Sequence, residues 1–286
     1  MESILKIAVQ KKGRLNEKSL KLLNECSIKL INGGGKLISV ARNFPVELLL
    51  IRDDDIPQYV SDGVADIGIV GENEVLEKDK PLDIIEKLGF AGCRLSLAIP
   101  KEKEYEGVEF FRNKKIATSY PNILRKFLDD KGIDAVIHPI SGSVEIAPNI
   151  GLTDAIFDIV SSGSTLISNG LKEVEVVMRS EAVLVANKNL DDDKKIILED
   201  LLFRIRAVME ATSNKYILLN APNESLDRII DLIPGMKSPT ILPLAQEGWS
   251  SVHSVITESD FWEVIGKLKE NGAQGILVVP IEKMVV

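Results

Sequence analysis

The sequence is poor in the residue types on which several common chemistries depend. It has 2 cysteines, Cys26 and Cys93, and 2 histidines, His138 and His253, in 286 residues. Two cysteines cannot make a disulfide framework, and Cys/His spacing of the zinc kind is absent. Aromatic residues make up 5% of the chain, so its cores must be built mainly from Ile, Leu and Val. A basic excess is missing as well: 35 Lys and Arg stand against 43 Asp and Glu, a net charge of -8. That balance argues against a general nucleic-acid binder, and any anionic ligand must be captured by local donors against the field of the whole chain. No apolar run approaches the ~18 residues of a membrane span. Met1-Glu2-Ser3 leads into Ile4 to Val9, a stretch too short and too interrupted for a signal peptide. The expectation is a soluble cytoplasmic protein with neither nucleic acid nor membrane as partner. Two nucleotide motifs are also lacking. No Gly-x-Gly-x-x-Gly follows a strand, and Gly33-Gly34-Gly35-Lys36 is followed by Leu37 where a P-loop carries Ser or Thr, so a flexible turn is the reading there. No Ser/His/Asp or Cys/His arrangement can be argued, and both histidines lie in apolar strand contexts that read as structural.

What is present is a foldable chain, 45% hydrophobic and 27% charged, long enough for two or three domains. Short apolar runs alternate with amphipathic stretches. Ile4 to Val9 reads as a strand and Glu17 to Cys26 as a helix with Leu20, Leu22 and Leu23 on one side. Val46 to Ile51 and Asp66 to Val70 read as strands, with a short helix from Ile56 between them. A second set begins at Arg94 to Pro100 and continues through strands at Lys115 to Thr118, Ala135 to His138 and Ala155 to Val160, with a helix over Asn122 to Asp130. This alternation implies an α/β architecture with mainly parallel strands. Val174 to Val185, broken near Arg179-Ser180, looks extended and suited to returning the chain from a second lobe to the first. A long helix follows over Ile196 to Met209. The remainder reads β-α-β-β-α-β, a ferredoxin-like unit able to fold alone. The predicted partition is 1–90 with 183–213 as lobe I, 91–182 as lobe II, and 214–286 as a C-terminal domain. An internal echo links the lobes: Gly63-Val64-Ala65-Asp66-Ile67 and Gly151-Leu152-Thr153-Asp154-Ala155 both set Gly-x-x-Asp before an apolar strand.

The most informative segment is Asp158-Ile159-Val160-Ser161-Ser162-Gly163-Ser164-Thr165-Leu166. An acid near a strand's carboxyl end, followed by a turn of glycine and hydroxylated residues, occupies the place where open α/β sheets bind ligands. Backbone N–H groups around Gly163 and the hydroxyls of Ser161, Ser162 and Thr165 suit a phosphate, and Asp158 would reach the hydroxyls of an attached sugar. An ordinary strand-to-helix turn with Ser/Thr caps is the competing reading. Gln10-Lys11-Lys12-Gly13-Arg14 follows the first strand directly and would make a cationic claw for a polyphosphate, or a solvated basic loop. Arg52 adds a cation after a second strand. Asp53 to Asp55 read as helix-start acids rather than metal ligands.

Together these segments resemble the long form of the ATP phosphoribosyltransferase family, which opens histidine biosynthesis. The resemblance runs through Ala8 to Leu15, Arg52 to Pro57, Gly63 to Asn73, Ala117 to Asn122, and a specific signature from Glu145 through Gly151 and Asp158 to Leu166. Thr153 departs mildly, a smaller residue being expected there. The resemblance implies two periplasmic-binding-protein-like lobes forming a catalytic cleft and a C-terminal ACT-like regulatory domain. It implies transfer of the phosphoribosyl group of phosphoribosyl pyrophosphate to N1 of ATP. Asp158, Lys12 and Arg14 would be catalytic. Substrate would be held by Glu145, Ser161, Ser162, Gly163, Ser164, Thr165, Arg52, Glu72, Asn73 and Tyr120. Magnesium would accompany the leaving pyrophosphate, held partly by substrate oxygens and water, with Asp158 and Glu145 holding the ribose or its magnesium. Histidine would inhibit through Asn220, Thr240, Val255 and Gly275, in a homo-oligomer, dimer to hexamer. The short form lacks the extension and needs a separate regulatory subunit; with Ser238-Pro239-Thr240 and Gly272-Ala273-Gln274-Gly275 this chain looks self-sufficient. Two rivals remain: a two-lobed solute-binding sensor without catalysis, and a phosphoribosyltransferase using a free base. The usual purine-salvage loop carries two adjacent acids, whereas Phe157 and Ile159 flank Asp158 here.

Overall fold

The computed structural model describes residues 3–31 and 37–286, so Gly33 to Lys36 lie outside the described residues. The chain forms two compact units, Met1–Asn24 with Ile28–Leu198, and Glu25–Ser27 with Glu199–Val286.

The first unit holds two sheets. One contains β1 (Leu5–Gln10), β2 (Ile38–Val40), β3 (Val46–Ile51), β4 (Ile67–Gly71), β5 (Leu82–Lys87) and β11 (Ala182–Asn187), in the order β2-β3-β1-β4-β11-β5. β1 pairs in parallel with β3 and β4, while β11 runs antiparallel to β4 and β5. Central β1 has Leu5, Ile7, Ala8 and Val9 fully buried, the continuous apolar run of a strand covered on both faces. Helices α1 (Arg14–Glu25), α2 (Ile56–Ser61) and α3 (Glu72–Lys78) follow β1, β3 and β4. α1 starts three residues ahead of the predicted Glu17 and buries Ser19, Leu22 and Leu23, with Leu20 half-buried. A 3-10 turn over Asp53–Asp55 leads into α2, where Pro57 stands in the first turn, a position that needs no N–H donor.

The other sheet contains β6 (Cys93–Pro100), β7 (Lys115–Thr118), β8 (Val136–Pro139), β9 (Ala155–Val160) and β10 (Leu171–Ser180), ordered β10-β6-β9-β7-β8. β7 is parallel to β8 and β9, and β6 is antiparallel to β9 and β10. Helix α4 (Pro121–Lys131) follows β7, and the short α5 (Ser164–Ser168) follows β9. Two of the few aromatics, Phe111 and Phe157, are fully buried in this core with Leu95, Leu97, Ile99 and Ile116. The extended return is present as β10 and β11, broken at Glu181. Its partner connection, residues 88–92 between β5 and β6, lies beside it. Leu88 N–H donates to Ala182 O at 2.9 Å, Ala182 N–H to Phe90 O at 2.9 Å, and Gly89 N–H to the Glu181 carboxylate at 2.9 Å. β2 and β5 are absent from the sequence reading. Both are edge strands, half exposed, and so carry no apolar run to reveal them.

The sequence echo is a repeated structural device. Gly63 and Gly151 both adopt left-handed backbone, φ 72° and 76°. Three residues on, Asp66 N–H donates to Lys6 O while its carboxylate accepts the Lys6 N–H at 2.7 Å. Asp154 does the same with Lys115, its carboxylate accepting at 2.9 Å. Each aspartate thereby registers a strand, β4 or β9, against its parallel neighbour, β1 or β7. Thr153 in the second copy is buried, and its hydroxyl has no partner among the described residues.

The second unit builds a four-stranded sheet from β12 (Asn214–Pro222), β13 (Thr240–Pro243), β14 (Trp249–Thr257) and β15 (Gln274–Pro280), ordered β13-β14-β12-β15. Helices α7 (Leu226–Leu232) and α8 (Glu258–Glu270) pack on one face, over Ile217, Leu219, Ala221, Val252 and Ile256. This is the βαββαβ, ferredoxin-like unit the sequence implies. Thr257 caps α8 by accepting the Asp260 N–H at 3.1 Å. The unit boundary falls within helix α6 (Asp192–Ser213). No helix among the described residues is long and apolar enough to cross a membrane.

The two registering aspartates differ in setting. Asp66 is buried and also paired with Lys194 at 2.8 Å, whereas Asp154 is exposed. Asp66→Ala is expected to cost about 2–3 kcal/mol and Asp154→Ala about 1 kcal/mol by equilibrium denaturation; equal costs would contradict this account of the pair.

Candidate functional site

Ligands of open α/β sheets gather beyond the carboxyl ends of parallel strands, and in the first unit those ends from both sheets meet. A cleft of about 360 Å³ is lined from one lobe by Gln10, Gly13, Arg14, Asp53, Asn73 and Glu74, and from the other by Cys93, Ile159 and Ser161. The turn after β1 is tied to the turn after β3: Gln10 Nε2 donates to Asp53 at 3.0 Å, and Lys11 N–H donates to Ile51 O at 2.7 Å. Arg14, exposed at the start of α1, lines the cleft; Lys11 and Lys12 stand exposed in the same turn. Arg52 is exposed but engaged, its guanidinium donating to both Asp54 oxygens at 3.0 and 3.1 Å.

On the opposite wall, Asp158 occupies the fourth position of β9 and accepts the Ile159 N–H at 2.8 Å. Burial pushes its carboxyl pKa up to about 6; the Ile159 N–H counteracts, and the nearby charge of Glu145 adds to the rise. Glu145 lies in the single turn Val144–Ile146 after β8. Beyond β9, Ser161 lines the cleft, Gly163 adopts φ 81°, and Ser162 and Ser164 share a hydroxyl hydrogen bond of 2.9 Å. A side chain at Gly163 would be strained by that φ. Ser161, Ser162, Ser164 and Thr165 are all exposed.

Asn73 and Tyr120 come together in a buried seam between the lobes. The Tyr120 hydroxyl donates to Glu74 at 2.9 Å, and Asn73 Nδ2 donates to Glu74 at 3.2 Å and to the Tyr120 hydroxyl at 3.3 Å. Ser180, the last residue of β10, donates to Asn73 Oδ1 at 2.8 Å and accepts its N–H at 3.0 Å. Burial raises the Glu74 pKa, and burial together with the Glu74 charge raises that of Tyr120, so the hydroxyl remains the donor. One turn along α3, the Glu77 carboxylate accepts the Asn122 N–H at 3.0 and 3.1 Å and the Ile123 N–H at 3.0 Å, while Asn122 Nδ2 donates to Glu77 O at 2.9 Å. A carboxylate thus sits on the positive end of α4, reaching from one lobe into the other. Glu72 is turned away from this seam. It pairs with Lys87 at 3.2 Å and lines an adjoining depression of about 370 Å³ with Arg94, Arg179 and Ser161.

Sequence reasoning missed Glu74, Glu77, Ser180 and Arg94. Asn73, Glu74 and Glu77 are all buried, but in the sequence Glu74 and Glu77 are indistinguishable from surface acids of a short helix. Nothing in the spacing marks Ser180 or Arg94. A larger depression of about 690 Å³, bounded by Val40–Val46 and Asp193, Ile196 and Ile197, holds none of the predicted site residues. Among the described residues, no group of three or more His, Cys, Asp or Glu is arranged to hold a metal ion.

In the second unit, Asn220, Thr240 and Val255 share the sheet face away from α7 and α8. Register places Thr240 opposite His253, Val255 opposite Tyr216, and Asn220 opposite Ser251. A Cβ on Gly275 would lie 3.5 Å from Asn220 Nδ2. Asn220 and Gly275 are therefore neighbours, with Thr240 two strands from Asn220 and three from Gly275. Between the groups, His253 bridges the Tyr216 hydroxyl at 3.1 Å and the Ser251 hydroxyl at 3.0 Å.

Residues 52–207 match the family model of ATP phosphoribosyltransferase, and residues 211–283 match that described as HisG, C-terminal domain. The ATP phosphoribosyltransferase of Bacteroides thetaiotaomicron is 62% identical over 283 residues, covering 99% of this chain and all of that protein. That of Parabacteroides distasonis is 63% identical with the same coverage. Among solved structures, a chain of an ATP phosphoribosyl transferase complex from Thermotoga maritima is similar with a TM-score of 0.63 and 31% identity, over 72% of this chain and 98% of that one. These similarities do not favour the solute-binding sensor.

The raised pKa of Asp158 has a consequence for stability. A carboxyl that titrates at about 6 when folded and at 3.8 when free binds more protons folded than unfolded between those values. Its full contribution to stability is present below pH ~4 and is lost as the pH rises through ~6. Asp158→Asn is therefore expected to stabilise the ligand-free protein by about 1–3 kcal/mol at pH 7.5, with the gain shrinking towards zero near pH 4. Thermal melts at the two pH values test this, and a gain independent of pH would refute the burial account.

Proposed function

The chain belongs to the ATP phosphoribosyltransferase family, and from that premise we propose which residues carry its reaction and how. The enzyme joins N1 of ATP to the anomeric carbon of phosphoribosyl pyrophosphate, breaking the bond from that carbon to pyrophosphate and giving phosphoribosyl-ATP. This is the first step of histidine biosynthesis. The positive charge gained by the adenine is discharged as a proton from its exocyclic amine. No covalent enzyme intermediate is needed, so catalysis is orientation plus stabilisation of an oxocarbenium-like ribosyl carbon.

The residue assignment rests on one observation: Arg14 and Ser161 line the same cleft, with Asp158 three residues before Ser161. In this reading the amides of the Ser161–Thr165 turn and its hydroxyls take the 5-phosphate. Asp158, ionised for the most part at neutral pH with its pKa at about 6, holds the ribose and faces the charge developing on its carbon. Glu145 assists. Lys12 and Arg14 take the pyrophosphate and ATP phosphates, and Arg52 joins them by exchanging Asp54 for substrate oxygen. Asn73 and Tyr120 bound the nucleotide side from the buried seam, while Glu72 acts from the adjoining depression. Magnesium would enter with the substrate pyrophosphate, with Asp158 and Glu145 as the residues that would hold the ribose or its magnesium. Bound there, the ion would neutralise charge on the leaving pyrophosphate.

The same reading makes the C-terminal domain a sensor for histidine, with the open sheet face around Asn220, Thr240, Val255 and Gly275 as its site. It makes the working enzyme a cytoplasmic homo-oligomer, dimer to hexamer. An assay following phosphoribosyl-ATP by absorbance, with and without histidine, tests both parts; no product from the two substrates would overturn the assignment of chemistry. Asp158→Asn is expected to lower kcat at least ~100-fold and to remove an acid limb near pH 6 from the profile of kcat/KM. An unchanged rate would take Asp158 out of the mechanism. Thr240→Ala is expected to weaken histidine inhibition with uninhibited activity intact, and superimposable inhibition curves would count against that face.

A further inference from the structure

The turn after β9 is gripped from behind. Arg94, on β6, uses Nε and Nη2 as a two-pronged fork on the Glu173 carboxylate of β10, each bond 2.6 Å. Ser96 donates a third hydrogen bond of 2.6 Å to the same carboxylate. The remaining guanidinium nitrogen, Nη1, donates to the backbone oxygen of Ser161 at 3.0 Å. The ion pair is three-quarters shielded from solvent, with 25% side-chain exposure on each partner, and Arg94 holds the Glu173 carboxyl below the usual range. A planar fork cannot rotate about its carboxylate without breaking a bond, so the third nitrogen has a fixed aim.

The aim matters because a trans peptide carries its C=O and N–H on opposite sides of one plane. Fixing the Ser161 carbonyl towards Arg94 fixes the Ser162 N–H away from it. We propose that Arg94, locked by Glu173 and Ser96, is a positioning residue for phosphoribosyl pyrophosphate: it sets the Ser161–Ser162 peptide so that the Ser162 N–H is presented to the 5-phosphate. This rests on the reading of the Ser161–Thr165 turn as the phosphate cradle. Arg94 itself touches no substrate in this account. Its charge is taken up by Glu173, and its effect reaches the ligand through one peptide group.

Lysine has one ammonium and cannot hold both carboxylate oxygens and the Ser161 carbonyl in that geometry, so Arg94→Lys tests the fork. Glu173→Gln weakens the lock while leaving the arginine in place. Both are expected to raise KM for phosphoribosyl pyrophosphate about 10-fold, with kcat and KM for ATP within about two-fold of wild type. Combined, they are expected to cost little more than the worse single change, because both act through the same peptide. A purely structural role would lower the melting temperature without separating the two KM values, and that result overturns the proposal. So does a rise in Arg94→Lys with Glu173→Gln unaffected, which would make Arg94 a direct ligand. Should Arg94→Lys fail to fold, Glu173→Gln alone decides. Gly163→Ala separates the proposal from its premise. If it leaves KM for phosphoribosyl pyrophosphate unchanged, the cradle reading fails and the proposal with it. If it raises that KM while the Arg94 and Glu173 variants do not, the cradle stands and only the positioning role is lost.

Discussion

The structure of the first unit depends on a polar seam that is expensive to bury and is fully partnered. Asn73, Glu74, Glu77 and Ser180 are all buried, and each finds hydrogen bonds across or along the boundary between the lobes. Two apolar lobes would slide on one another, because hydrophobic contact has no direction. Hydrogen bonds do. A buried carboxylate with the wrong partner costs several times what the right partner returns. The seam therefore fixes the register of one lobe on the other, and with it the separation between the cationic turn after β1 and the glycine turn after β9.

The elements that were legible in the sequence are those whose burial dictates composition. β1, β3, β4, β6 and β9 are central strands and read as apolar runs, and the C-terminal βαββαβ unit reads from alternation and turn residues alone. β2 and β5 were not legible because an edge strand is half wet and needs no apolar run. At the site, the Asp158–Thr165 segment was readable because a strand end, an acid and a glycine turn are local in sequence. The seam was not. Glu74 and Glu77 look like ordinary surface acids of a short helix until Tyr120 and Asn122, more than forty residues away, are set against them. Arg94 and Glu173 are still further apart in the chain. Long-range polar pairs leave no period for a sequence to display.

The repeated Gly-x-x-Asp device shows how little is needed to specify a parallel register. One left-handed glycine turns the chain, and one carboxylate accepts the N–H at the start of the neighbouring strand. In the first lobe the aspartate is buried and doubly engaged; in the second it is solvated, and its neighbour Thr153 carries a hydroxyl with no partner among the described residues. The second copy departs further from an economical solution, and the unsatisfied hydroxyl is a cost of about 1 kcal/mol or more.

The paired connections at 88–92 and Glu181 also govern mechanics. Two separate linkers would let the lobes twist, shear and bend independently. Here the linkers are laced to each other by backbone hydrogen bonds at Leu88 and Ala182, so they behave as a single flat ribbon. Bending such a ribbon within its plane stretches covalent backbone, whereas flexing it out of plane only rotates dihedrals. The softest relative movement such a ribbon allows is one swing about its width, and any such swing has to give up the seam's hydrogen bonds from Tyr120, Asn122 and Ile123 to Glu74 and Glu77.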